Sequence, residues 1–111
     1  MHPKPQKIKK GKEIKAAFTG RKIANQFFDI YIKNNKEEAP RFGVITTKTI
    51  GNAVKRNKVK RRLLGIIYSI SKEINLNGDI IIVPRKKAME NKYEEVLNEA
   101  RNILIKKGSN D

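Results

Sequence analysis

Apolar residues recur along this chain with two different periods, and the changes of period outline its elements. In residues 53–74, Val59, Leu63, Ile66, Ile67, Ile70 and Ile74 fall at three- and four-residue spacings. That spacing predicts one long amphipathic helix, and Asn52 stands where its N-cap belongs. A last helix is predicted from the stripe Tyr93, Val96, Leu97, Ala100 and Leu104, with Asn91-Lys92-Tyr93-Glu94 as a capping box before it. A short first helix is expected over residues 13–18, with Ile14, Ala17 and Phe18 on one side and Gly20 as its stop.

Alternation takes over elsewhere. In 23–33, Phe28, Ile30 and Ile32 would face one way and Phe27, Asp29, Tyr31 and Lys33 the other. A second strand is expected over 41–48, with Phe42, Val44 and Thr46 on one face. Residues 80–83 are all apolar and β-branched, as in a central strand buried on both faces. Residues 34–40 form a polar connection, and Asn77-Gly78-Asp79 signals a turn. The order is α-β-β-α-β-α, with 23–33 open to division in two by a bulge. It predicts an α+β sandwich of helices against a mostly antiparallel sheet.

The length, 111 residues, fits one domain with a modest core. Residues 1–10, with Pro3, Pro5 and Lys4, Lys7, Lys9 and Lys10, are expected to be a flexible basic arm. The domain itself is expected over 11–107, with 108–111 as a C-terminal tail. Charge adds a direction to this outline. The net charge is +15, and the whole excess lies in residues 1–72, which hold nineteen basic and four acidic residues. Residues 73–111 hold seven of each, and no acid lies between Arg41 and Lys72. Such asymmetry suits a polyanionic partner. No apolar run approaches the roughly 20 residues of a membrane span, and no apolar segment follows the basic N-terminus as in a secretory signal. Cysteine is absent, which excludes disulfides and thiolate metal sites and suits a reducing, cytoplasmic setting. The one histidine is His2, so a histidine-based catalytic or zinc site cannot be assembled in one chain.

The cations concentrate at the start of the long helix. Six of the eleven residues 52–62 are basic: Lys55, Arg56, Lys58, Lys60, Arg61 and Arg62. Positive charge there opposes the helix dipole and gives the helix no stability of its own. It does enlarge a site whose free N–H groups already attract phosphate. A solvated face is the alternative, but such faces alternate sign for i,i+4 pairing, and this helix has no acid before Glu73. In strand 23–33, Phe27 and Tyr31 would share a wet face with Asp29 and Lys33. Rings among cations suit single-stranded RNA, and packing of those rings under the first helix is the alternative. Paired carboxylates and nucleotide-binding glycine motifs are not evident, so no small-molecule cofactor is expected.

The run Gly51-Asn52-Ala53-Val54-Lys55-Arg56-Asn57-Lys58-Val59-Lys60-Arg61 resembles the signature of the protein subunit of bacterial ribonuclease P, G-N-A-V-x-R-N-R-x-K-R. Arg41-Phe42-Gly43-Val44 followed by Lys48 is similar to a family strand. So are Ala24-Asn25 with Phe28 and Tyr31, and Asp79-Ile80-Ile81-Ile82 with Arg85. The resemblance runs from about Lys9 to about Lys107. It implies an α-β-β-β-α-β-α two-layer sandwich, a mixed four-stranded sheet and a left-handed βαβ crossover, against the usual hand. It implies cleavage of the 5′ leader from precursor tRNA, with catalysis and most bound Mg²⁺ belonging to the RNA subunit. By position, Lys55, Arg56, Asn57, Lys58, Lys60, Arg61 and Arg62 would bind that RNA. Phe18, Tyr31, Lys48 and Arg85 would bind the leader in a cleft between the sheet and the first helix. Three residues depart from the family pattern. Lys58 lacks the bidentate fork of arginine. Thr49 replaces a usual lysine, and Ile14 a frequent phenylalanine. A small ribosomal-type RNA-binding protein, or a non-specific DNA-binding protein, would share the charge and size without the Arg56-Asn57-Lys58 and leader-cleft combination.

Overall fold

The computed structural model describes residues 6–8, 11–34, 40–73 and 78–109. In chain order the elements are β1 (Gln6–Lys7), α1 (Gly11–Ala17), β2 (Arg21–Ala24), β3 (Phe28–Lys33), β4 (Arg41–Val44), a 3₁₀ turn (Lys48–Ile50), α2 (Ala53–Glu73), β5 (Asp79–Pro84), α3 (Lys87–Glu90) and α4 (Tyr93–Ser109). The strands order as β1-β4-β5-β3-β2, so the all-apolar β5 lies at the centre. β5 runs antiparallel to β3 and parallel to β4, with α2 as the crossover between β4 and β5.

Strand register sorts the side chains onto two unlike faces. Phe42 and Ile32 both pair with Ile80, and Val44 and Ile30 with Ile82. That face, with Phe28, is covered by Val59, Leu63, Ile66, Ile67 and Ile70 of α2 and Val96, Ala100 and Leu104 of α4. Each fully buried aliphatic side chain contributes about 1.5–3 kcal/mol, so this larger cluster carries most of the stability. On the other face, Ile81 packs with Ile8 and Ala17, and Ile14, Tyr31, Ile45 and Val83 border them. Among the described residues, the seven-residue α1 is the helix that lies over that face at β3 and β5.

The four expected strands are present, and β1 adds a short fifth at the edge. Residues 1–10 are therefore not a free arm throughout. Ile8 is 4% exposed, and its N–H donates to Phe42 O at 2.8 Å. Ile8 is the one branched apolar residue of a lysine-rich segment, and Gly43, with no side chain, leaves room for Ile81 beside it. An added Cβ at Gly43 would stand 3.1 Å from Ile81 Cδ1. Residues 1–5, 9 and 10 of the expected arm lie outside the described residues, as do 35–39 of the polar connection, Ile74, Asn77 and the last two residues of the tail. α4 continues through Ser109, beyond the expected boundary at 107.

The segment 23–33 is a hairpin rather than one strand. Its turn forms because Asn25 Oδ1 accepts hydrogen bonds from the N–H groups of Phe27 (2.8 Å) and Phe28 (2.9 Å). This turn carries Phe27 into the main core, where it is 3% exposed. The wet face expected for Phe27 is thereby corrected, because Phe27 precedes β3 and escapes its alternation. The strand expected over 41–48 ends at Val44 and gives way to the 3₁₀ turn. Asn52 caps α2 as expected, with its Oδ1 accepting from Lys55 N–H at 3.0 Å. The capping box at Asn91 is corrected. Asn91 Nδ2 donates to Lys87 O at 2.9 Å, closing the end of α3, a helix too short to show periodicity.

Candidate nucleic-acid interface

The start of α2 is built from a tight glycine turn and an Asn52-capped first turn. Gly51 has φ +134°, a conformation side chains rarely adopt, and leads from the 3₁₀ turn into the helix. No acid occupies the first turn of α2. Lys55, Asn57, Lys58 and Arg61 are exposed, while Arg56 and Lys60 are half-buried. Arg56 Nη1 donates to Gly51 O at 3.2 Å, which fixes its guanidinium over the helix start. Arg62 has a different task. Its Nη1 donates to Ala88 O (2.9 Å) and Asn91 O (2.7 Å), joining α2 to the end of α3.

A cavity of about 580 Å³ opens beside this helix end. Lys48, Lys55, Lys58 and Lys86 line it together with Thr49 and the single acid Glu90, with Ile50 and Met89 as its apolar wall. Lys48 is thus grouped with the helix lysines, not with the aromatic pair expected to bind the leader. Lys86 belongs to the same group and was not predicted; the α3 turn brings it there. Thr49 shares a hydrogen bond of 2.6 Å with Thr47, so the position usually held by lysine is occupied by a hydroxyl pair.

The second surface lies on the other face of the sheet. Phe18 and Tyr31 meet edge to face, with ring centroids 4.7 Å apart and planes at 74°. Phe18 is 37% exposed, and Tyr31 is half-buried. Two contacts hold the loop after α1 against β3. A Cβ at Gly20 would collide with the Ile32 backbone, so only glycine allows this approach. Lys33 Nζ donates to Thr19 Oγ1 at 3.1 Å. Ile14 packs at the edge of the apolar cluster beneath. It supplies floor rather than a stacking ring.

Cations border the rings. Lys22 pairs across the hairpin with Tyr31, and its Nζ lies 5.7 Å from the ring centroid. Arg85 Nη2 donates to Asp29 Oδ1 at 2.8 Å, and Lys22 Nζ lies 3.9 Å from Asp29 Oδ2. Asp29 is two residues from Tyr31 on the same strand face, so it gathers both cations beside the aromatic pair. Lys22 could be found only from the hairpin register. Phe18, Tyr31 and Arg85 therefore share one surface, as expected.

At the far end of β4 and β5, Arg41 Nε and Nη2 donate to the two oxygens of buried Asp79 at 2.8 and 2.7 Å. The hydrogen bond to Asp79 raises the Arg41 pKa; burial opposes the shift, and the carboxylate charge adds to it. Among the described residues no three or more His, Cys, Asp or Glu side chains cluster to hold a metal ion. Asp29, Asp79 and Glu73 are each engaged by arginine, so these residues do not fit a protein-held Mg²⁺ site. Among the described residues no helix is long and apolar enough to cross a membrane.

The chain is similar to known proteins along nearly its whole length. The sequence model of the Ribonuclease P family matches residues 2–108. The ribonuclease P protein component of Bacillus cereus (strain G9842) is 38% identical over 108 residues, covering 95% of this chain and 93% of the relative. The Staphylococcus aureus RNase P protein structure superposes with a TM-score of 0.76 at 31% identity, covering 90% and 92% of the two chains. That of Thermotoga maritima gives a TM-score of 0.79 at 25% identity, covering 89% and 94%.

Proposed function

We propose, from the premise that this chain belongs to the ribonuclease P protein family, that the two faces of its sheet divide the handling of RNA. The chain serves precursor-tRNA processing as the protein subunit of that ribonucleoprotein. In the finer division, the outer edge of α2 docks on the RNA subunit through Lys55, Arg56, Asn57, Lys58, Lys60 and Arg61. Lys48 and Lys86 extend that contact around the cavity. Arg62 supports the docked helix from behind rather than contacting phosphate.

The opposite face takes the single-stranded 5′ leader of the precursor. A nucleobase stacks against the Phe18–Tyr31 pair, and Lys22 and Arg85 neutralise leader phosphates. The observation that supports this division is the Phe18–Tyr31 contact, on the sheet face turned away from α2. Mg²⁺ is held mainly by the RNA subunit, and the cytoplasm is where such an assembly works. The protein contributes positioning: it holds the leader while the RNA subunit carries out cleavage.

Reconstitution with a bacterial-type ribonuclease P RNA tests this function. The purified protein alone should leave precursor tRNA intact. Adding it to the RNA subunit should enable leader removal at low Mg²⁺ and physiological salt. Cleavage by the protein alone, or an RNA subunit indifferent to the protein, would overturn it.

A further inference from the structure

Beyond its cationic start, α2 carries a second unusual feature. Tyr68 is the only aromatic residue of this helix, and it is 42% exposed. Lys72 Nζ lies 4.6 Å from the centre of its ring. Arg61 and Tyr68 are seven residues apart, nearly two full turns. Tyr68 therefore stands on the line of the exposed Arg61, about 10 Å further along. Glu73, the first acid of α2, is held by Arg101 at 2.8 and 2.9 Å.

Gly65 lies between Arg61 and Tyr68. Its φ is not positive, and among the described residues an added Cβ would meet Tyr93 Oη alone, at 3.6 Å, an ordinary contact. Alanine would fit there and strengthen the helix, so packing gives no reason for glycine. Gly65 is half-buried beside the Tyr93 hydroxyl, and without a side chain its backbone allows the close approach of another chain there. Tyr93 is 38% exposed and also faces a cation, with Arg62 Cζ 5.9 Å from its ring centre. The two carbonyl contacts of Arg62 hold that cation in place.

We propose that Tyr68 and Tyr93, each with its cation and with Gly65 between them, form a platform that stacks unpaired bases of the RNA subunit. Charge complementarity and continuity with the Arg61 edge of α2 identify the occupant. The sugar–phosphate backbone passes close over Gly65, and Lys72 meets a phosphate. The platform rests on the proposed docking of α2 on the RNA subunit and extends it by two helical turns.

Holoenzyme assembled from the full chain and a bacterial-type ribonuclease P RNA provides the test. Affinity for the RNA subunit is measured over a range of salt, beside thermal melts of each variant. Tyr68→Ala should weaken RNA-subunit binding about five- to hundredfold with an unchanged salt slope. Tyr68→Phe, which keeps the ring, should bind like the parent. Gly65→Ala should melt higher than the parent yet bind the RNA subunit more weakly, a pairing of signs that a structural role would not give. Parental binding by both Tyr68→Ala and Gly65→Ala, with Arg61→Ala weakened, would reject the platform and leave α2 docking intact. Parental binding by all three would remove α2 docking, and the platform with it. Loss of tRNA affinity without loss of RNA-subunit affinity would assign the tyrosines to another ligand and overturn the proposal.

Discussion

Ile81 and Ile82 are neighbours on β5, both fully buried, yet they belong to different parts of the molecule. Ile82 faces two long helices and a large aliphatic core. Ile81 faces one short helix, a docked N-terminal strand and the side of Tyr31. The first face is built to stay closed. The second is thinly covered, and aromatic rings and cations reach solvent at its margin. A sheet that uses one face for stability can use the other for a ligand without unfolding.

The largest effect expected from this contrast is on stability. Ile82→Ala should cost about 3–5 kcal/mol and Ile81→Ala about 2–3 kcal/mol, since the smaller cluster has half-buried neighbours that can relax. Chemical denaturation of the two variants checks the order, and a larger loss at Ile81 would break it. Next comes the link at the start of β4 and β5. Arg41→Ala leaves Asp79, 4% exposed, without its bidentate partner. The loss should be about 2–4 kcal/mol, below the range for wholly buried pairs because Arg41 keeps partial solvent contact. Its unfolding midpoint should fall well below that of Lys22→Ala, whose ion pair with Asp29 is long and half exposed.

These two faces were unequally legible. Helical spacing from Val59 to Ile70 found the closed face directly, because a large core imposes its period on the sequence. The apolar run at 80–83 likewise marked the central strand. The cleft face could not be read this way. Its rings come from a loop after α1 and from β3, and the Asn25 turn, the Gly20 contact and the Lys33–Thr19 hydrogen bond set them together. Phe27 shows the limit most clearly. Alternation placed it beside Tyr31, but it lies in the Asn25 turn and points into the main core. Ile8 was hidden by its lysine-rich neighbours. Lys22, Lys48 and Lys86 were placed by hairpin register and by short turns, which carry no periodic signal.

A smaller effect separates charge from shape at the start of α2. Arg61→Ala should lower the log–log salt slope of RNA-subunit binding by about 0.7–0.9, the share of one phosphate contact. Arg56→Ala should do the same, with added loss of the hydrogen bond to Gly51. Asn57→Ala should reduce affinity with the slope unchanged, because asparagine is neutral. Salt titrations of the three variants give the comparison. A parental slope in both arginine variants would place this edge of the helix in solvent.

The proposed separation of leader binding from RNA-subunit docking is tested most directly by paired tRNA affinities. Precursor and mature tRNA are bound side by side to holoenzymes carrying Tyr31→Ala or Phe18→Ala, with melts of each protein. Loss of a stacked base costs about 1–3 kcal/mol, so precursor binding should fall roughly five- to hundredfold. Mature tRNA, which has no leader, should bind as it does to the parent holoenzyme. Equal losses for both tRNAs, or no loss for either, would contradict the account.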